Sequence, residues 1–174
     1  CLVPAMELPT DYLADPQWQA NLGLLAQFRL SFDLQILPPQ AESAAKLVAR
    51  HPDLDFVLVH AGQPRDQGPE GFEAWRAALR RMAQAPNVAI KLSGFGMFDV
   101  DWTTESLRRL VLTAIDCFGP DRCLFASNFP VDKLMRDYAG LWRAYDEITA
   151  DFTAAERAAM FHDNAARIYR IGTG

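Results

Sequence analysis

Side chains able to do chemistry recur in this sequence within, or directly after, short apolar runs. His60 follows Phe56 to Val59, and Lys91 interrupts Val88 to Leu92 and is followed by Ser93. Ser127 and Asn128 follow Arg122 to Ala126, with Asp132 a little further on, and Asp33 and Gln35 sit in an earlier run, Leu30 to Ile36. The chemistry open to such a set is electrostatic and acid–base. An imidazole can polarise a carbonyl or bind a metal, an ammonium can hold an anionic or hydroxylated substrate, and amides, hydroxyls and carboxylates can hold water. Each group also has a plain structural use. A single histidine ending an apolar run serves equally as a hydrogen-bonded core or rim residue. Asp33 and Gln35 can bond to neighbouring loops, and Ser93-Gly94 and Ser127-Asn128 are ordinary turn residues. Lys91 is the most constrained, because an unpaired ammonium is costly to bury. It must face a rim, a partner or an outer layer.

The elements that would position these groups alternate between strand and helix. Amphipathic segments are expected to be helical over Asp15 to Phe28, with Asp15 as N-cap and Pro16 as first helical residue. Further helices are expected over Gln40 to Arg50, Glu70 to Gln84, Glu105 to Phe118 (capped by Thr103 or Thr104), Met135 to Thr149, and Ala154 to Tyr169. This alternation indicates βαβ units and a parallel sheet, an architecture that binds ligands beyond the carboxyl ends of its strands. The polar groups above would then share one rim. Four strands can be counted, or five if Cys1-Leu2-Val3 is the stub of another, and a closed barrel needs eight. A chain that opens on Cys1 and runs straight into apolar residues reads as a cut through a strand, so residues 1–174 are expected to form a single partial domain lacking its first strands.

Composition narrows the function classes. With half of its 174 residues apolar, the chain can bury one sizeable core. A net charge of −5 argues against a nucleic-acid or anionic-membrane partner, and Arg80, Arg81, Arg108 and Arg109 read as solvated helix faces. The three cysteines form no zinc or disulfide framework, which favours a reducing, cytoplasmic setting. No apolar run approaches the roughly 18 residues of a membrane span. The partner expected is a small-molecule substrate, and an open sheet edge would suit a homo-oligomer. His51 reads as a surface residue at a helix end, and His162 as structural.

Phe32 to Gln35, Phe56 to Pro64, Lys91 to Gly94 and Phe125 to Asp132 occur in that order, with Asp163 to Tyr169 near the end. This set resembles the metal-dependent hydrolases of the amidohydrolase-2 family, which includes sugar lactonases and pyrone-dicarboxylate lactonase. The resemblance implies the C-terminal portion, about strands 5–8, of a (β/α)8 TIM barrel. It matches His60 to a sixth-strand histidine that binds metal or polarises the substrate carbonyl. The wider superfamily's H-x-H pair has no counterpart here. Asn128 falls where many relatives carry an aspartate that activates water, and an amide cannot take that proton. Asp132 as base, Asn128 as a binding group, or reduced activity are the alternatives.

The activity implied is hydrolysis of a lactone. His60 would polarise the carbonyl, directly or as ligand to a zinc or manganese ion in the complete protein. Gln35, Lys91 and Ser93 would orient the substrate, and Asn128 or Asp132 would position water. This chain alone is expected to hold no catalytic metal and to be inactive. The rival readings are a non-catalytic barrel that only binds a small molecule, and a decarboxylase of the same branch.

Overall fold

The structure is a computed structural model that describes Leu13 and residues 15–172. The expected strand stub at Cys1-Leu2-Val3 lies outside the described residues. Helix α1 spans Pro16–Gln27, where Asp15 accepts from the Trp18 backbone N–H at 2.7 Å and Pro16 supplies a preset φ. There follow β1 (Ser31–Leu34), α2 (Ala41–Arg50), β2 (Asp55–Leu58), α3 (Pro69–Ala83), β3 (Val88–Leu92), α4 (Thr104–Phe118), β4 (Cys123–Phe125) and α5 (Tyr138–Ile148). The closing helical run is α6 (Ala154–Ala158), a π turn (Ala159–Asp163) and α7 (Asn164–Tyr169). Among the described residues, no helix is long and apolar enough to cross a membrane.

The four strands form one parallel sheet in the order β1-β2-β3-β4. Asp33 pairs in register with Val57, Val57 with Ala89, and Lys91 with Leu124. Side chains alternate across a strand, so the sheet has two different faces. Leu34, Phe56, Leu58, Val88, Ile90, Leu92, Cys123 and Phe125 point to the helices and join the large core with Trp75, Leu79, Leu107 and Val111. On the other face, Val57, Ala89 and Leu124 form a small cluster with Ile168, flanked by Ala165 and Tyr169.

Several expectations shift at their edges. The Leu30 to Ile36 run is a strand only to Leu34, because Pro38 opens a 3-10 turn that caps α2. The helix expected from Met135 starts at Tyr138, where Asp137 accepts from the Gly140 N–H at 2.6 Å, and Val131–Leu134 forms a separate turn. His51 is half-buried rather than a surface residue, its ring lying beside Gly23 of α1. Three of the helix-face arginines are tethered, not merely solvated. Arg81 pairs with Glu42 of α2, Arg108 with Glu147 of α5, and the Arg109 guanidinium lies 3.7 Å from the Phe72 ring centroid on α3. Exposed pairs of this kind contribute about 0–1 kcal/mol each, so they set helix register more than stability.

Candidate active site

His60 does not end β2 as a strand residue. The chain leaves β2 through Val59 and enters a turn in which His60, Ala61, Gly62 and Gln63 have φ of 53°, 49°, 66° and 55°. For residues with a Cβ, this left-handed conformation costs about 1–2 kcal/mol each. The turn persists because its surroundings fix it. The Gly62 and Gln63 N–H groups donate to the Val59 and His60 carbonyls at 3.2 and 2.8 Å. The fully buried Trp75 donates its indole N–H to the Ala61 carbonyl at 2.7 Å. A Cβ on Gly62 would come within 2.9 Å of the Leu79 side chain, so glycine is required there by both φ and space. Gln63 accepts from Arg65 Nε and Nη2 at 3.0 and 2.7 Å.

This turn carries the His60 ring to the end of β3. Ser93 Oγ lies 3.3 Å from His60 Nδ1. The next residue, Gly94, has φ of 71°, and a Cβ there would sit 2.6 Å from the same nitrogen. Burial lowers the His60 pKa below the ordinary imidazole value, the Lys91 charge pushes the same way, and Asp33 opposes them. A neutral ring at neutral pH follows, with one donor and one acceptor nitrogen.

Lys91 resolves its burial by pairing across two strands. Its Nζ lies 2.7 Å from Asp33 Oδ2 and 5.1 Å from the Tyr169 ring centroid. Tyr169 donates its hydroxyl to Asp33 Oδ1 at 2.8 Å, so the closing helix reaches into the same face of the sheet. Burial and the Asp33 carboxylate both raise the Tyr169 pKa, and the phenol stays protonated as a donor. Gln35, one residue beyond β1, is half-buried at the carboxyl end of the sheet.

The exit from β4 is built differently. Asn128 has φ of 55° and donates from Nδ2 to Asp132 Oδ1 at 2.8 Å, while its carbonyl accepts the Asp132 backbone N–H at 3.2 Å. Asp132 is only 3% exposed. Burial raises its pKa, against hydrogen bonds from Asn128 and the Gly96 backbone N–H that lower it. The Phe129–Pro130 peptide is cis, and Ser127 Oγ accepts the Phe129 N–H at 3.2 Å. The buried Tyr145 hydroxyl sits 3.3 Å from the Leu92 carbonyl and 3.5 Å from that of Ala126, between the ends of β3 and β4.

Of the residues singled out from sequence, His60, Ser93 and Lys91 thus form one group and Asn128 and Asp132 another. The loop after β3 touches both, through Ser93 and Gly94 on one side and Gly96 on the other. Trp75, Gly94 and Tyr169 were not singled out as site residues. Trp75 had one available signal, since a buried indole N–H needs an acceptor. Among the described residues, no three His, Cys, Asp or Glu side chains converge closely enough to hold a metal ion. His60 alone does not make the three- or four-ligand set that zinc requires, so these residues by themselves do not fit a metal centre.

Comparison with known proteins bears on the family and the fold. A family model described as Amidohydrolase matches residues 3–171. The chain is 49% identical over 156 residues to the uncharacterized protein y4mH of Sinorhizobium fredii, covering 90% of this chain and 52% of that protein. It is 34% identical over 174 residues to an L-fucono-1,5-lactonase of Burkholderia multivorans, covering 92% of this chain and 58% of that enzyme. Its fold matches the crystal structure of a Burkholderia multivorans amidohydrolase with bound zinc at a TM-score of 0.87 and 28% identity, covering 92% of this chain and 60% of that one. The chain therefore spans a little over half the length of these relatives.

Proposed function

Since the chain belongs to the amidohydrolase family, we propose that it supplies the carboxyl-end rim of a sugar-lactone hydrolase, with β1 to β4 standing as the last four strands of a (β/α)8 barrel. The observation that carries this reading is the turn after β2. It spends backbone strain to set a half-buried, neutral His60 against Ser93 at the carboxyl end of the sheet, with Gly94 clearing space for the ring. The identity to an L-fucono-1,5-lactonase supports a sugar lactone as the substrate class.

In the proposed reaction, the Ser93 hydroxyl donates to His60 Nδ1, which leaves Nε2 carrying the ring hydrogen. Nε2–H donates to the lactone carbonyl oxygen and strengthens that bond as charge develops on it. Water held by Asn128, with Asp132 behind it, attacks the carbonyl carbon. The ring C–O bond breaks, and the proton lost by water ends on the ring oxygen, giving the open hydroxy acid. Lys91, held by Asp33, and Gln35 orient the substrate hydroxyls.

The test is turnover of a panel of sugar lactones by the full-length protein and its His60→Ala variant. Loss of one aimed donor should lower kcat about 100-fold or more while the unfolding transition stays in place. Equal kcat/KM for the two proteins would overturn the reading.

A further inference from the structure

Asn128 lacks the carboxylate that would make it a base, yet it is bonded to one. Its Nδ2 donates to Asp132 Oδ1 at 2.8 Å, and the same carboxyl receives the Gly96 backbone N–H. Asp132 is 3% exposed, and its carboxyl faces Asn128 and the backbone N–H of Gly96 in the loop after β3. Asn128 is half-buried, and its Oδ1 accepts no hydrogen bond among the described residues. A primary amide has two opposite ends, one that donates and one that accepts. A carboxylate only accepts, so it selects the nitrogen end and turns the oxygen away from itself.

We propose that Asp132 is a positioning residue that acts through Asn128, locking its amide so that Oδ1 is presented at the carboxyl-end rim as a fixed acceptor for water or a substrate hydroxyl. The site then discriminates by a neutral acceptor: it favours ligands that offer an O–H, and it holds water in place without deprotonating it. The amide orientation stands on geometry alone, whereas its use in catalysis rests on the lactonase reading above.

Two measurements separate these. The first is the side-chain amide spectrum of Asn128 in 15N-labelled full-length protein across pH. The Nδ2 protons should shift with the ionisation of Asp132, at a midpoint above the ordinary aspartate range. Among the described residues, the titratable group that interacts with that carboxyl is Tyr145 on α5, which burial keeps protonated throughout. Asp132→Asn should remove the titration. An Asn128 amide insensitive to pH and to this substitution would overturn the proposal even if the enzyme is a lactonase. The second measurement is a double-mutant cycle in lactone hydrolysis. Asp132→Asn and Asn128→Ala should each lower kcat/KM, Asn128→Ala by about 10-fold or more, and the double variant should be no worse than Asn128→Ala. Multiplying losses, or a far larger loss for Asp132→Asn than for Asn128→Ala, would show Asp132 acting directly and overturn the proposal. If Asp132→Asn does not fold, the wild-type titration and Asn128→Ala still decide it. Absence of all lactone turnover would sink the functional reading while leaving the first measurement to judge the amide.

Discussion

The exits from β2 and β4 solve the same problem by opposite means. Each must lift a polar side chain off a buried strand and aim it at the carboxyl end of the sheet. After β2, the backbone itself is bent, with four successive residues at positive φ, and the restraint comes from the core through Trp75, Leu79 and the absent side chain of Gly94. After β4, only Asn128 is left-handed, and the restraint is a hydrogen bond to the buried carboxyl of Asp132. The first exit depends on shape and the second on charge. The β2 exit should therefore fail on changes of volume or of a neutral donor, and the β4 exit on changes of ionisation.

The largest effect expected on this comparison is at Gly94. An alanine there is strained at φ of 71° and places its Cβ 2.6 Å from His60 Nδ1, so the ring must move. Displacing a catalytic group by about 1 Å can cost about 100-fold in rate. Gly94→Ala in the full-length protein should lose roughly that factor in lactone kcat, together with a stability loss of about 1–2 kcal/mol from the left-handed alanine. Unchanged kcat would mean that His60 tolerates displacement, and would remove the argument that the turn exists to aim it.

Trp75→Phe probes the same exit from beneath. Phenylalanine keeps much of the packing but leaves the Ala61 carbonyl without its buried donor, at a cost of about 1–3 kcal/mol. Urea unfolding should show that loss, and the His60 ring signals should shift because the anchored carbonyl belongs to the next residue. The Asn128 amide signals should stay where they are, because the β4 exit does not use this anchor. Coupled shifts at both exits would mean that they are one mechanical unit and not two.

How much of this was legible in the sequence differs between the exits for a physical reason. The parallel sheet, the order of its elements and the rim location of His60, Lys91 and Asn128 follow from apolar runs alternating with amphipathic ones, which local patterning records directly. Asp15 and Thr103 also announce their helices, because a cap bonds within three residues of itself. The left-handed run from His60 to Gln63 gives no such signal: only Gly62 in it is a residue type that favours positive φ, and the bond that secures it comes from Trp75 on the next helix. The partner of Lys91 was equally hidden. Asp33 stands 58 residues away, and only strand register brings the two charges together. Asn128 and Asp132 are four residues apart and could be paired by eye, but the burial that turns the carboxylate into an anchor comes from tertiary packing, which four-residue spacing does not record.

The smallest expected effect is on stability as a function of pH, and here the two exits should pull in opposite directions. His60 has its pKa lowered in the folded state, so between that value and the unfolded value of about 6.5 the unfolded chain binds more protons. Stability therefore falls as pH drops through this window. Asp132 has its pKa raised, so between about 3.9 and the folded value the folded chain binds more protons, and stability falls as pH rises. Urea unfolding of chelator-treated protein across pH 4–8 should separate the two when wild type is compared with variants. His60→Gln should remove the acid-side loss below about pH 6.5, and Asp132→Asn should remove the loss on the rising side of the aspartate window. Exposed carboxylates that titrate in the same range, such as Glu42 and Glu156, cancel in these differences. If His60→Gln left the profile unchanged while Asp132→Asn altered it, only the β4 exit would be electrostatically strained, and the neutral imidazole assigned to the β2 exit would have to be given up.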